Sequence, residues 1–197
     1  MQNASVNIST TDENVIELEY RRENSNGVYA GRNSNVESSY TVENLTFIAN
    51  DSAERDEILS KIAQARAGGG QIYDEDTFFG SSCYIYISIS YVSRTGTSGA
   101  EAKMTSVTVK YSTNSGTTIS SKKLNLLCHG ASASSGSIYK DRTLTSISSS
   151  PYTTSLPNSW PYVLTGSAVL GASFDVTATR PSGESKSSIV TAYVFLN

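Results

Sequence analysis

One histidine and two cysteines are all this chain offers for imidazole or thiol chemistry, and their spacing limits what they can do. His129 directly follows Cys128, so in an extended strand the two side chains point to opposite faces and cannot form a nucleophile and base dyad. No GxSxG elbow is present, and Gly130-Ala131-Ser132-Ala133-Ser134 fails at its last position. Ahead of Gly130, His129 reads as a strand-end imidazole. A His-rich metal site is excluded by count. The acidic cluster Asp74-Glu75-Asp76 follows Gly68-Gly69-Gly70 and has the oxygen ligands that Ca²⁺ favours, but its spacing is not that of an EF-hand loop, and it reads as a solvated acidic turn. The triple glycine follows a helical pattern, whereas phosphate loops precede one. No cofactor and no catalytic signature is expected, although the paired carboxylates of a glycosidase can be assembled from distant strands and stay open as an alternative.

Binding chemistry is better supplied, by 12 Tyr and one Trp. Tyr152, Trp160 and Tyr162 lie in or beside a Pro-containing segment, where exposed aromatics stack on sugar rings or anchor a protein partner, and they are the candidate ligand-binding residues. Tyr84 and Tyr86 form a second candidate stripe on the polar face of a strand.

The elements that must carry these residues are mostly strands. Cys83, Ile85, Ile87, Ile89 and Tyr91 share one face, while Tyr84, Tyr86, Ser88 and Ser90 share the other, the pattern of a half-buried antiparallel strand. Further strands read at Val15 to Tyr20, Tyr40 to Ile48, Met104 to Ser112 and Lys122 to His129. Ala172 to Thr179 and Ser188 to Leu196 flank Arg180-Pro181-Ser182-Gly183-Glu184, whose Pro and Gly supply turn chemistry for a hairpin. Both faces of the terminal run are apolar, so it is expected to be central in its sheet. Gly130 to Gly136 and Ser146 to Pro161 read as polar surface loops.

One helix is predicted from about Ser52 to Ala67. Asp51 caps it, Glu54 completes a capping box, and Gly68 stands at the stop. Ile58, Leu59, Ile62 and Ala63 make a narrow apolar stripe that should lie on the same domain.

Composition agrees with this reading. Ser and Thr together make up roughly 28% of the 197 residues, and 38% are hydrophobic, enough for a real core in a hydroxyl-rich β protein. The chain is expected to form a single domain over residues 1–197, with a more acidic part, 1–79, that contains the helix. A formal charge of −3 and a pI of about 5.2 give no reason to expect nucleic acid or an anionic membrane. No apolar run reaches the roughly 20 residues of a spanning helix.

Cys83 falls in register with Ile85 and Ile87, and Cys128 with Leu124 and Leu126, so both thiols should face a core. A disulfide between Cys83 and Cys128 is expected there, closing a loop worth about 4 kcal/mol. Such a bridge suits an exported protein whose natural signal peptide has been removed. Acceptor patterns for glycosylation at Asn3, Asn7, Asn44 and Asn50 are expected by chance in so hydroxyl-rich a chain and carry no weight.

From about Tyr84 onward the order of features resembles a group of uncharacterised secreted β-sandwich proteins of Gram-positive bacteria. The residues that carry it are Tyr84 to Tyr91, Met104 to Val109, Ser120 to Leu124 with the later Cys128-His129-Gly130, and the Ser/Pro/Tyr-rich segment before the closing hairpin. The resemblance implies export and a sandwich, with no activity attached. Together these readings predict a mainly β, antiparallel, immunoglobulin-like sandwich with one short amphipathic helix. Its expected role is non-catalytic binding of a glycan or protein at a surface, with a secreted carbohydrate-active or other hydrolytic enzyme as the alternative. A further copy of the chain could also pair with an open sheet edge.

Overall fold

A computed structural model describes residues 5–8, 12–28, 37–67, 83–96, 98–113, 116–166 and 168–196. The acidic cluster Asp74-Glu75-Asp76 lies outside them. The protein is mainly β, with antiparallel strands in two facing sheets and one helix. In the first sheet, β1 (Ser5–Ile8), β2 (Val15–Val28), β3 (Glu37–Ile48), β4 (Tyr84–Gly96) and β5 (Gly99–Ser112) follow one another as a meander. The free side of β5 takes β8 (Tyr152–Ser155) and β9 (Val163–Leu164). In the second sheet the order is β11 (Ser185–Leu196), β10 (Ala168–Thr179), β6 (Thr118–Ser132), β7 (Gly136–Leu144). An immunoglobulin sandwich places strands ABED against CFG; here the first five strands lie side by side in chain order, with the helical segment Ser52–Ala67 inserted between β3 and β4.

Alternation builds the core between the sheets. Ile85, Ile87 and Ile89 of β4 meet Leu124 and Leu126 of β6 and the even-numbered residues of β10 from Ala168 to Ala178. In β5 the inward set changes parity, from Ala102 and Met104 to Val107 and Val109. The pairing with β4 skips Thr105, a bulge that adds one residue and keeps both halves facing inward. Gly130 permits a close approach, since a Cβ there would lie 2.6 Å from the Ala168 Cβ.

A second core lies on the other face of the first sheet. Helix α1 (Ser52–Ala67) buries Ile58, Ile62 and Ala65 against Ile16, Leu18, Leu45, Phe47, Tyr84 and Tyr86. Ala63 faces solvent, and Ala65 takes the place expected for it, because the buried stripe follows i, i+4, i+7 spacing. The Asp51 carboxylate accepts from Glu54 N at 2.9 Å, and the Glu54 carboxylate accepts from Asn50 N at 2.8 Å. Tyr84 and Tyr86 are therefore 6% and 7% exposed and form no surface stripe. Tyr86 keeps its hydroxyl satisfied by donating to Glu43 at 2.8 Å.

Arg180 ties the sheets together at one end. Its Nε donates to the Ala49 carbonyl at 3.0 Å, and Nη2 lies 3.1 Å from Asp12 Oδ2. Both side chains of that ion pair are buried. The hairpin turn thus reaches from the second sheet to the entrance of β2 and the exit of β3.

Two expectations are corrected. The terminal strand β11 is an edge of the second sheet and not central. The Cys83 to Cys128 disulfide does not form: both cysteines are buried, but they are not close enough to be bridged. Cys83 O accepts from Ile48 N at 2.9 Å, one residue before Ala49, and so sits at the Arg180 end. Cys128 pairs with Leu170, ten residues before Arg180 and roughly 30 Å away along the strand. A bridge needs Cα atoms within about 7 Å. Burial alone pushes the Cys128 thiol up to about 11.

Arg180→Ala should lower stability by about 3 kcal/mol, because it strands the buried Asp12 carboxylate and the Ala49 carbonyl. An unshifted urea midpoint would contradict this role. In native protein at about pH 8 the Cys128 thiol is expected to resist iodoacetamide, and both thiols should alkylate in urea without any reductant. Recovery of a bridged peptide from a non-reduced digest would count against the separation of the two cysteines.

Candidate functional site

The aromatic residues named from the sequence are not gathered into one site. The segment from Ser146 to Pro161 crosses from the second sheet to the first and packs inward, burying Ile147, Leu156 and Trp160. Ser150 Oγ donates to the Tyr111 carbonyl at 2.8 Å and accepts from Tyr111 N at 2.9 Å, replacing a strand pair. Leu156 N donates to Thr105 O at 3.1 Å. Trp160 is 6% exposed and belongs to the core, so its ring is closed to a ligand. Tyr152 opposes Val109 on β5 and is partly buried against the same core.

Tyr162 is half-buried, with the Arg94 guanidinium 3.6 Å from its ring centroid. Arg94 Nε also donates to Glu101 at 3.1 Å, and Glu101 is buried over Gly96, where a Cβ would come within 2.5 Å of its carboxyl carbon. The group clamps the β4–β5 hairpin to β9. Tyr152 and Tyr162 stand at opposite stretches of β5, roughly 20 Å apart.

A different surface has the geometry of a site. The outer face of β7, β6 and β10 meets no covering layer among the described residues. On it His129 lies opposite Tyr139, Leu127 opposite Asp141, and Asn125 opposite Thr143. His129 Nε2 is 2.8 Å from Asp141 Oδ1, and the His129 and Tyr139 rings are 5.3 Å apart. Asn125 Nδ2 donates to Ser173 Oγ and Asp175 Oδ2, each at 3.0 Å, and its Oδ1 accepts from Thr143 Oγ1 at 3.0 Å. With both amide hydrogens and its oxygen used, Asn125 fixes β7 and β10 on either side of β6. The three strands give a rigid platform roughly 14 Å long and 10 Å wide.

Tyr139 stands out on that platform. At 73% exposure it is a large apolar-bodied side chain open to solvent. The solvent-facing pair of His129 and Asp141 beside it puts hydrogen-bonding groups next to the ring. The sequence reading missed this strand because Ile138 alone supplies an inward apolar residue before Leu144. The signal was the short turn after Ser132, with Gly136 opening a return strand opposite β6.

Among the described residues no group of three or more His, Cys, Asp or Glu side chains is placed to hold a metal ion. No helix among them is long and apolar enough to cross a membrane. The fold and this face together define an antiparallel sandwich in which a helix packs on the outer face of one sheet, while the described residues place no layer on the outer face of the other. No protein-family description matches the chain, and neither the curated proteins nor the solved structures yield a match.

Trp160→Ala should cost about 3–5 kcal/mol of stability, as for a large core side chain. Tyr162→Ala should cost about 1 kcal/mol, the size of a partly exposed cation–π contact. Urea unfolding of the two variants checks the order, and equal midpoints would contradict it.

Proposed function

We propose that this protein is a non-catalytic binding protein of the cell exterior or surface, and that it takes its ligand on the outer face of β7, β6 and β10. The single observation that carries the reading is Tyr139, an exposed ring beside the His129 and Asp141 pair on a rigid sheet. Such a ring stacks on the apolar face of a sugar, while the neighbouring imidazole and carboxylate hydrogen-bond to hydroxyls. A glycan is the ligand class favoured by that combination, and a protein loop presenting hydroxyl and aromatic groups would use the same contacts. Tyr152, Trp160 and Tyr162 are not assigned to this site, since they hold the crossing segment. Location outside the cell rests on the hydroxyl-rich composition and on the resemblance to secreted sandwich proteins described above.

A glycan array beside a pull-down from cell-surface extract tests the proposal. Tyr139→Ala is expected to weaken a detected ligand by about tenfold, with an unchanged circular dichroism spectrum. Binding that is indifferent to Tyr139→Ala would overturn the assignment. Turnover of a glycan that survives Tyr139→Ala and dies on replacing a pair of carboxylates would replace the binding reading with the hydrolytic one.

A further inference from the structure

The sheet edges of this molecule are not alike. On the first sheet β1 covers only Ile16 to Glu19 of β2, and the stretch of β2 beyond it carries Arg21, Arg22 and Glu23. The opposite side ends in two short strands, β8 and β9, separated by a segment holding Pro157 and Pro161, which lack N–H donors. On the second sheet β7 exposes Lys140, Asp141 and Arg142. Each of these edges carries a feature that discourages strand addition: shortness, proline or charge.

Strand β11 carries none of them. It runs 12 residues, pairs along its whole length with β10, and has no hydrogen-bonded strand on its other side among the described residues. Its sequence has one charge, Lys186, followed by Ile189, Val190, Ala192, Tyr193, Val194, Phe195 and Leu196. A long, apolar, β-branched edge is a template for another strand.

We propose that β11 joins two copies of this chain into a dimer, pairing antiparallel with β11 of the second copy about a two-fold axis at Thr191. Hydrogen-bond parity sets the register. Arg180 N donates to Glu184 O at 2.9 Å, and the pairing from Thr179 with Ser185 to Ala168 with Leu196 is unbroken. Hydrogen-bonded and non-bonded pairs alternate, so even-numbered residues of β11 bond to β10 and odd-numbered ones direct N–H and C=O outward. Centring on Thr191 sets odd residues opposite odd ones, Ile189 facing Tyr193 and Ser187 facing Phe195 of the second copy. Lys186 then faces Leu196, so like charges never meet. The contact is isologous, and it uses the apolar edge of both copies at once. Since the other edges resist addition, assembly stops at two.

Sedimentation analysis of the chain at about 50 µM should give twice the chain mass. Thr191→Pro removes an outward donor and no bond to β10, and should halve the mass with the β spectrum retained. Thr191→Lys sets like charges together on the axis and should do the same, which decides the matter where the proline variant fails to fold. In Thr191→Cys the introduced thiols should link chains on oxidation faster than those of Ser137→Cys on β7. A monomeric wild type, or a dimer indifferent to Thr191→Lys, would overturn the proposal.

Discussion

Between Tyr84 and Ile89 every side chain of β4 is buried, so this strand has to be covered from two sides at once. The isoleucines take the sandwich side, and the two tyrosines take the helix side. Each fully buried aliphatic of this kind contributes about 1.5–3 kcal/mol, and β4 is the strand that lends side chains to both cores along one continuous stretch. That requirement fixes the layers: helix, meander sheet, second sheet. It also explains why β3, the strand beside β4, carries Leu45 and Phe47 toward the helix while Val42 and Ile48 join the sandwich core.

The result is an asymmetric molecule. One outer sheet face is closed by α1, and the other, on β7, β6 and β10, keeps its polar side chains in mutual hydrogen bonds and leaves Tyr139 open. Two of the buried polar residues, Thr117 and Arg180, find partners at the ends of elements. Thr117 Oγ1 donates to Asn50 Oδ1 at 2.7 Å beside the start of the helix, and Arg180 spans the gap between the sheets. Hydrogen bonds at these joints set the position of the helix and the final hairpin relative to the meander.

Much of the fold was legible where a single signal had a single cause. Asp51 and Glu54 mark the helix start because they bond the orphan amides there, and the even-numbered residues of β10 alternate without interruption. Legibility failed where one pattern had two causes. Tyr84 and Tyr86 read as polar because a phenol has a hydroxyl, yet the ring lies under the helix and one partner satisfies the oxygen in Tyr86. The apolar β11 implied cover on both faces but not where its neighbours lie. Ser and Pro between Ser146 and Pro161 suggested a surface loop, while Ile147, Leu156 and Trp160 are spaced too irregularly to announce that they are buried. The candidate face was illegible for a related reason: Tyr139, Asp141 and Thr143 become a group with His129 and Asn125 only through the register of β6 with β7.

The bulge in β5 separates two kinds of information carried by one strand. Without Thr105, Met104 would be followed by Ser106, and the in-and-out order from Ala102 to Val109 would still be regular. The additional residue is thus surplus to the pattern that forms the sheet. It is used elsewhere: its hydroxyl donates to Ser90 O at 3.0 Å, and its carbonyl receives Leu156 N. A one-residue deletion there would leave the strand's hydrophobic grammar intact and erase the latch for the segment that delivers Trp160, so that the sheet and its closure are separately editable.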